Sequence, residues 1–149
     1  MISNATLRRQ YYETAEQNRA GGAWKAAGHE LITIMQLHRA YLAAERNKDN
    51  RAADEIRQRA QEQAAGGTSV RSGWVADHRN MEPEYFRIDL AGGGPAVRIT
   101  GSLARFGQAE DAILAYQDWG TPWTEFLLMN DLERNAVAWF CNQFYWPGA

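Results

Sequence analysis

The chain has little with which to cross-link, to enter a membrane or to attract a strongly charged partner. Its one cysteine, Cys141, can form no intramolecular disulfide, so the composition makes no demand for an oxidising compartment. No apolar run approaches the roughly 20 residues that a membrane-spanning helix needs. The stretch from Met1 to Gln10 carries Arg8 and Arg9 where a signal peptide has its apolar core. Without such a signal, the glycosylation triplet Asn4-Ala5-Thr6 is a chance match, and the expected location is the cytoplasm. The net charge of −2 lacks both the basic stripe of a duplex-binding domain and the acidic excess of a DNA mimic. Residues 1–68 hold ten Lys and Arg against eight Asp and Glu, whereas 69–149 hold six against ten, which leaves the second half mildly acidic.

What is present is enough apolar material for a core: 45% of the 149 residues are hydrophobic. Residues 5–20 read as a helix capped by Ser3 or Asn4, and Gly21-Gly22 breaks it. A stronger helix spans 24–46, with Leu31, Met35, His38 and Leu42 on an apolar stripe widened by Ile34, Leu37 and Tyr41. Lys25, His29, Thr33 and Gln36 line its other side. Asn47 to Asn50 is either a turn with a cap or a polar stretch of one long helix. Residues 51–65 favour helix but offer Ile56 as their only large apolar side chain. His29 and His38 lack the three-to-five spacing of helical metal pairs, and no Cys or carboxylate completes a site, so no metal or cofactor is expected.

Gly66-Gly67 marks a boundary between a helical region, 1–66, and a β-and-helix region, 67–149, that together form one unit. Ser69 to Trp74 reads as a short strand. Tyr85 to Leu90 alternates, with Phe86, Ile88 and Leu90 inward and Tyr85, Arg87 and Asp89 outward. Ala91 to Pro95 forms a turn, and Ala96 to Thr100 returns with Val97 and Ile99 inside, giving a hairpin. The glycines of that turn open a strand rather than a helix, which argues for a plain turn over a phosphate cradle. A further strand runs from Ala112 to Trp119. The last helix, 131–145, is capped by Asn130 or Asp131, with Glu133 placed for a capping box. Val137, Phe140, Cys141 and Phe144 share its sheet-facing side, while Leu132, Trp139 and Trp146 recur on nearly the opposite face. That second face meets either the N-terminal helices or a partner. Cys141, with no histidine or helix N-terminus beside it, reads as a core residue rather than a nucleophile. The expected fold is α+β: a helical hairpin or long helices, then an antiparallel sheet of about three or four strands and a C-terminal helix.

The least ordinary segment is Gln117-Asp118-Trp119-Gly120-Thr121-Pro122-Trp123-Thr124, in which two tryptophans flank a Gly-Thr-Pro turn. Together with Val70-Arg71-Ser72-Gly73-Trp74 and Gly93-Gly94-Pro95-Ala96-Val97-Arg98-Ile99, it resembles a set of small proteins carried by phages and prophages. The resemblance covers about residues 69–146 and brings no catalytic residue with it. It implies a bacterial host cytoplasm and action by binding and disabling a host protein, CRISPR-type defence complexes included.

Three functions follow as expectations. The first is an inhibitory binding protein, not an enzyme, anchored on a host protein or complex through Trp119, Trp123, Asp118, Trp139, Trp146 and Tyr85, with filling of the core as the alternative role of the tryptophans. The second is a small enzyme using Asp118, Glu125 or His78, although spacing supplies no second catalytic partner. The third is nucleic-acid binding through Arg8, Arg9, Arg39, Arg46, Arg51, Arg57 and Arg59. These are interleaved with Glu45, Asp54, Glu55 and Glu62 in the manner of a solvated helix, so direct nucleic-acid binding is not expected. The helices 24–42 and 51–65 can pair between chains as well as within one, which leaves a homo-oligomer open.

Overall fold

The computed structural model describes residues 21–72, 83–91, 95–104 and 107–146. The helix expected over 5–20, the glycines of the hairpin turn, Trp74, His78, Arg8 and Arg9 lie outside the described residues. Helix α1 runs Gly21–Arg46 and α2 Asn50–Glu62, so the polar stretch between them is a turn and not the middle of one helix. Its cause is local. Lys48 adopts a left-handed φ of 53°, and the Asp49 side chain caps α2 by accepting a hydrogen bond from the Ala52 N–H at 3.1 Å.

Burial on α1 follows the alanines as much as the large side chains. Ala23, Ala27, Leu31 and Ile34 are fully or almost fully buried, whereas Leu42, expected on the apolar stripe, is 47% exposed. A stripe read from large residues alone is rotated from the true one, because small side chains let a helix approach closely and are buried there. Helix α2 is thinly apolar but leans on α1, placing Ala53 and Ile56 against Ala44, Leu37 and Tyr41.

The turn out of α2 needs both glycines, for different reasons. Gly67 sits at φ +88°, while a Cβ on Gly66 would lie 2.6 Å from the Asp89 Cβ. Five strands follow: β1 Gly67–Ser72, β2 Pro83–Ala91, β3 Ala96–Leu103, β4 Ala109–Gln117 and β5 Thr124–Glu125. They form an antiparallel meander in sequence order. The expectation of three or four strands is corrected to five. The fifth is two residues long, too short to leave a period-two pattern, and is fixed by pairing of Ala115 with Glu125 and of Tyr116 with Thr124.

The inner face carries Phe86, Ile88, Leu90, Val97, Ile99, Leu114 and Tyr116, all buried. Helix α3, Asp131–Cys141, covers it with Val137, Phe140 and Cys141, and α1 completes the layer, so the two regions share one core. Asn130 caps α3 by accepting from the Glu133 N–H at 2.9 Å, and Glu133 reaches back to the Met129 N–H rather than to Asn130. The helix stops at Cys141, four residues short of the expected end. The Asn142 side chain then clasps the start of β4, accepting from the Ala109 N–H at 2.9 Å.

That early stop settles the two-faced helix. Trp139 packs against α1, with ring centroids 5.3 Å from those of both His38 and Tyr41. Trp146, past the helix end, turns inward beside Phe86 and donates its indole N–H to the Cys141 carbonyl at 3.1 Å. Leu132 alone of the three stays in solvent, 74% exposed.

Two glycine substitutions have opposite expected signs. A Cβ at Gly101 would lie 2.5 Å from the Glu110 carbonyl oxygen and 2.6 Å from the Phe86 ring. Gly101→Ala therefore costs roughly 1–3 kcal/mol of overpacking strain. A Cβ at Gly28, inside α1, meets the Phe126 ring at an ordinary 3.7 Å. Gly28→Ala therefore gains about 0.5–1 kcal/mol of helix propensity. Denaturant midpoints of the two variants measure both effects.

Candidate functional site

With α1 and α3 on the inner face, the outer face of the sheet is covered by no described helix. Cross-strand partners share a face, so the register lays its side chains out in rows. Asp89, Arg98, Ala115 and Glu125 form one row, Ser69, Arg87, Thr100 and Ile113 the next, and Arg71, Tyr85 and Ser102 a third. These rows border a concavity of about 570 Å³ open to solvent, whose lining includes Arg71, Tyr85, Arg87, Arg98, Asp111 and Ile113. Tyr85 and Ile113 are 40% and 44% exposed, a large apolar outlay for a sheet surface that no described helix protects.

The charges on this face are unequally satisfied. Arg87 pairs with Asp89 at 3.2 Å, and Asp111 accepts from the Ser102 hydroxyl at 3.1 Å. Arg71 lies over the Tyr85 ring, 4.9 Å from its centroid. Arg98 lies over the Trp123 ring at 3.8 Å, a close cation–π stack. Its Nε is buried and has no hydrogen-bond partner among the described residues. Partial burial lowers the Arg98 pKa from its ordinary value, Arg87 adds to the lowering, and Asp89 opposes it.

The turn after β4 explains how Trp123 comes to lie there. The Thr121 N–H and hydroxyl both donate to the Asp118 carbonyl, at 3.1 and 3.0 Å, and the Gln117 side chain donates to the Thr121 carbonyl at 2.9 Å. Gly120 takes φ +73°. The strand therefore ends at Gln117, not at Trp119. The loop then carries Trp119 out at its tip, 87% exposed, and brings Trp123 back onto Arg98.

The candidate anchors thus separate. Tyr85 lies in a row of the open face, Trp123 reaches that face from the loop before β5 by stacking on Arg98, and Trp119 stands at the turn beyond the end of β4. Trp139 and Trp146 are corrected from partner anchors to packing residues, the first half-buried against α1 and the second 3% exposed in the core. The Asp118 carboxylate accepts the Trp119 N–H at 3.2 Å, and its other oxygen lies beside Gly22 at the start of α1. Glu125 is exposed on β5. Among the arginines of the helical half, Arg51 pairs with Glu55 at 3.5 Å, and Arg57 with Asp54 at 3.5 Å and with the Tyr41 hydroxyl at 2.8 Å. Sequence reasoning missed Arg98 and Ile113 as site residues. Their signal was the outward parity of two alternating strands, legible only once the strands are registered.

Among the described residues, no three His, Cys, Asp or Glu side chains gather closely enough to hold a metal ion, and no helix is long and apolar enough to cross a membrane. His38 is stacked on Trp139, and burial lowers its pKa. No protein-family model, no curated protein and no solved structure matches the chain.

Cys141 is fully buried, and that burial pushes its thiol pKa far above the ordinary value. Iodoacetamide at pH 8 should leave it unmodified in the native protein and alkylate it after unfolding in guanidinium, as read by intact mass. Rapid stoichiometric alkylation of the native protein contradicts its assignment to the core.

Proposed function

We propose that this protein acts by binding another protein across the open face of its sheet, and not by catalysis. On the resemblance of residues 69–146 to phage-carried proteins, it is an accessory protein of a phage or mobile element that disables a host defence complex, of the anti-CRISPR type. The observation that carries the binding reading is the outer face, covered by no described helix, where Tyr85, Ile113 and Arg98 line one concavity and Arg98 also stacks on Trp123. Aromatic residues and arginine are the side chains that dominate interface energetics, because they combine large buried area with directed polar contacts. The four long strands present a face of roughly 20 by 25 Å, the order of area that one side of a standard interface buries.

The test is capture of partners from a bacterial host by the tagged protein, with two single substitutions for comparison. Ile113→Asp places a charge on the wall of the concavity, and Leu132→Asp places one on the solvent side of α3. The expected result is one host complex held near stoichiometry by the native protein and by Leu132→Asp, and lost with Ile113→Asp. The captured complex should also lose its interference activity against a targeted plasmid when the protein is added. Recovery of no host protein above background overturns the reading, as does undiminished binding by Ile113→Asp.

A further inference from the structure

On the reading that the open face binds a protein, the geometry points to its central recognition element: Arg98 takes an Asp or Glu carboxylate presented by the partner, in the concavity beside Arg87 and above the Trp123 ring. An arginine fork has five N–H donors and does not lose its proton in proteins, so burial cannot be relieved by neutralisation. Among the described residues Arg98 forms no ion pair, and its Nε is sealed from solvent without an acceptor. The nearest carboxylate across the strands, Asp89, is already engaged by Arg87 at 3.2 Å. Arg87 adds positive potential instead of relieving it. A guanidinium nitrogen sealed from solvent with no acceptor among the described residues is costly, and an incoming anion on the same fork offsets that cost.

Two features select a single carboxylate over a polyanion. The guanidinium carbon is held over the Trp123 ring at 3.8 Å, which fixes the position of a planar fork for a planar two-oxygen acceptor before binding. Around the concavity the carboxylates of Asp89, Asp111 and the exposed Glu110 and Glu125 stand among Arg71, Arg87 and Arg98, within a half that carries six cationic against ten anionic side chains. A nucleic-acid backbone, with one charge per about 1.7 Å of duplex, would bring further phosphates against these carboxylates. An acidic side chain on an otherwise neutral protein segment brings only one charge, and Tyr85 and Ile113 offer its neighbours apolar contact.

The test follows the Arg98 Nε–H resonance by NMR while the full-length protein is titrated with a blocked pentapeptide, Ser-Leu-Glu-Leu-Ser. Parallel titrations use the same peptide with Gln for Glu, inorganic phosphate, and an oligothymidylate. The expected result is a saturable Arg98 shift with the Glu peptide, weakened roughly tenfold or more by the Gln exchange, as loss of a charge-assisted hydrogen bond predicts. Arg98→Gln should abolish the Glu preference. Arg98→Lys, which keeps the charge but loses the fork, should retain part of it, and it carries the test if Arg98→Gln fails to fold. Equal binding of both peptides, no response at Arg98, or a response to phosphate or oligothymidylate alone overturns the carboxylate site. A host partner lost with Ile113→Asp but held unchanged by Arg98→Gln overturns the site while the binding face stands. A Glu-selective shift with no partner captured keeps the site and removes the support for the face.

Discussion

Burial of the sheet's inner face beneath α1 and α3 is the interaction on which the other features depend. Phe86, Ile88, Val97, Ile99, Leu114 and Tyr116 have to be covered, and two helices from opposite ends of the described chain cover them. At roughly 1.5–3 kcal/mol for each large side chain buried, this layer outweighs the capping and surface interactions around it. It also leaves no described helix for the other side of the sheet. A two-layer arrangement is a complete solution for a half-apolar antiparallel sheet, whose second face can be polar. Here that face is not wholly polar, and the departure at Tyr85, Ile113 and Trp123 is where the functional reading begins.

The helices are bound to one another by the same constraint. Trp139 is carried by α3 but rests on His38 and Tyr41 of α1, while Tyr41 in turn accepts a hydrogen bond from Arg57 of α2. The polar helix α2 is thus attached through α1, and the Gly66-Gly67 turn delivers the chain from it to the edge strand β1, with the Gly66 N–H donating to the Asp89 carbonyl of β2. A helix with so few large apolar residues has little stability of its own, and its place is set by these attachments.

The parts legible in the sequence are those set by short-range pattern. Period-two alternation located Phe86, Ile88, Leu90, Val97 and Ile99 inward, and the paired glycines marked the end of the helical region. The parts that were not legible depend on contacts between distant segments. β5 exists because Thr124 and Glu125 find β4, not because their own sequence favours a strand. The buried face of α1 is set by Ala23 and Ala27, residues whose apolar character is weak and whose value lies in their small size. Trp146 shares a heptad spacing with Leu132 and Trp139, but the helix ends before the spacing applies. Arg98 belongs to β3 and Trp123 to the loop before β5, and neither alone indicates a stacked cation. The candidate site was therefore half visible: its aromatic members stood out by composition, and its arginine centre required the register.

The central claim is that the outer face of the sheet is open in the free protein. Solvent paramagnetic relaxation of isoleucine methyl groups measures this directly, because a soluble gadolinium chelate broadens only the methyls it can approach. Ile113, on the outer face at 44% exposure, should broaden strongly, while Ile88 and Ile99, fully buried on the inner face, should remain sharp. Protection of Ile113 equal to that of Ile88 would mean that the face is covered in the free protein, by another part of the chain or by a second copy, and would contradict the account.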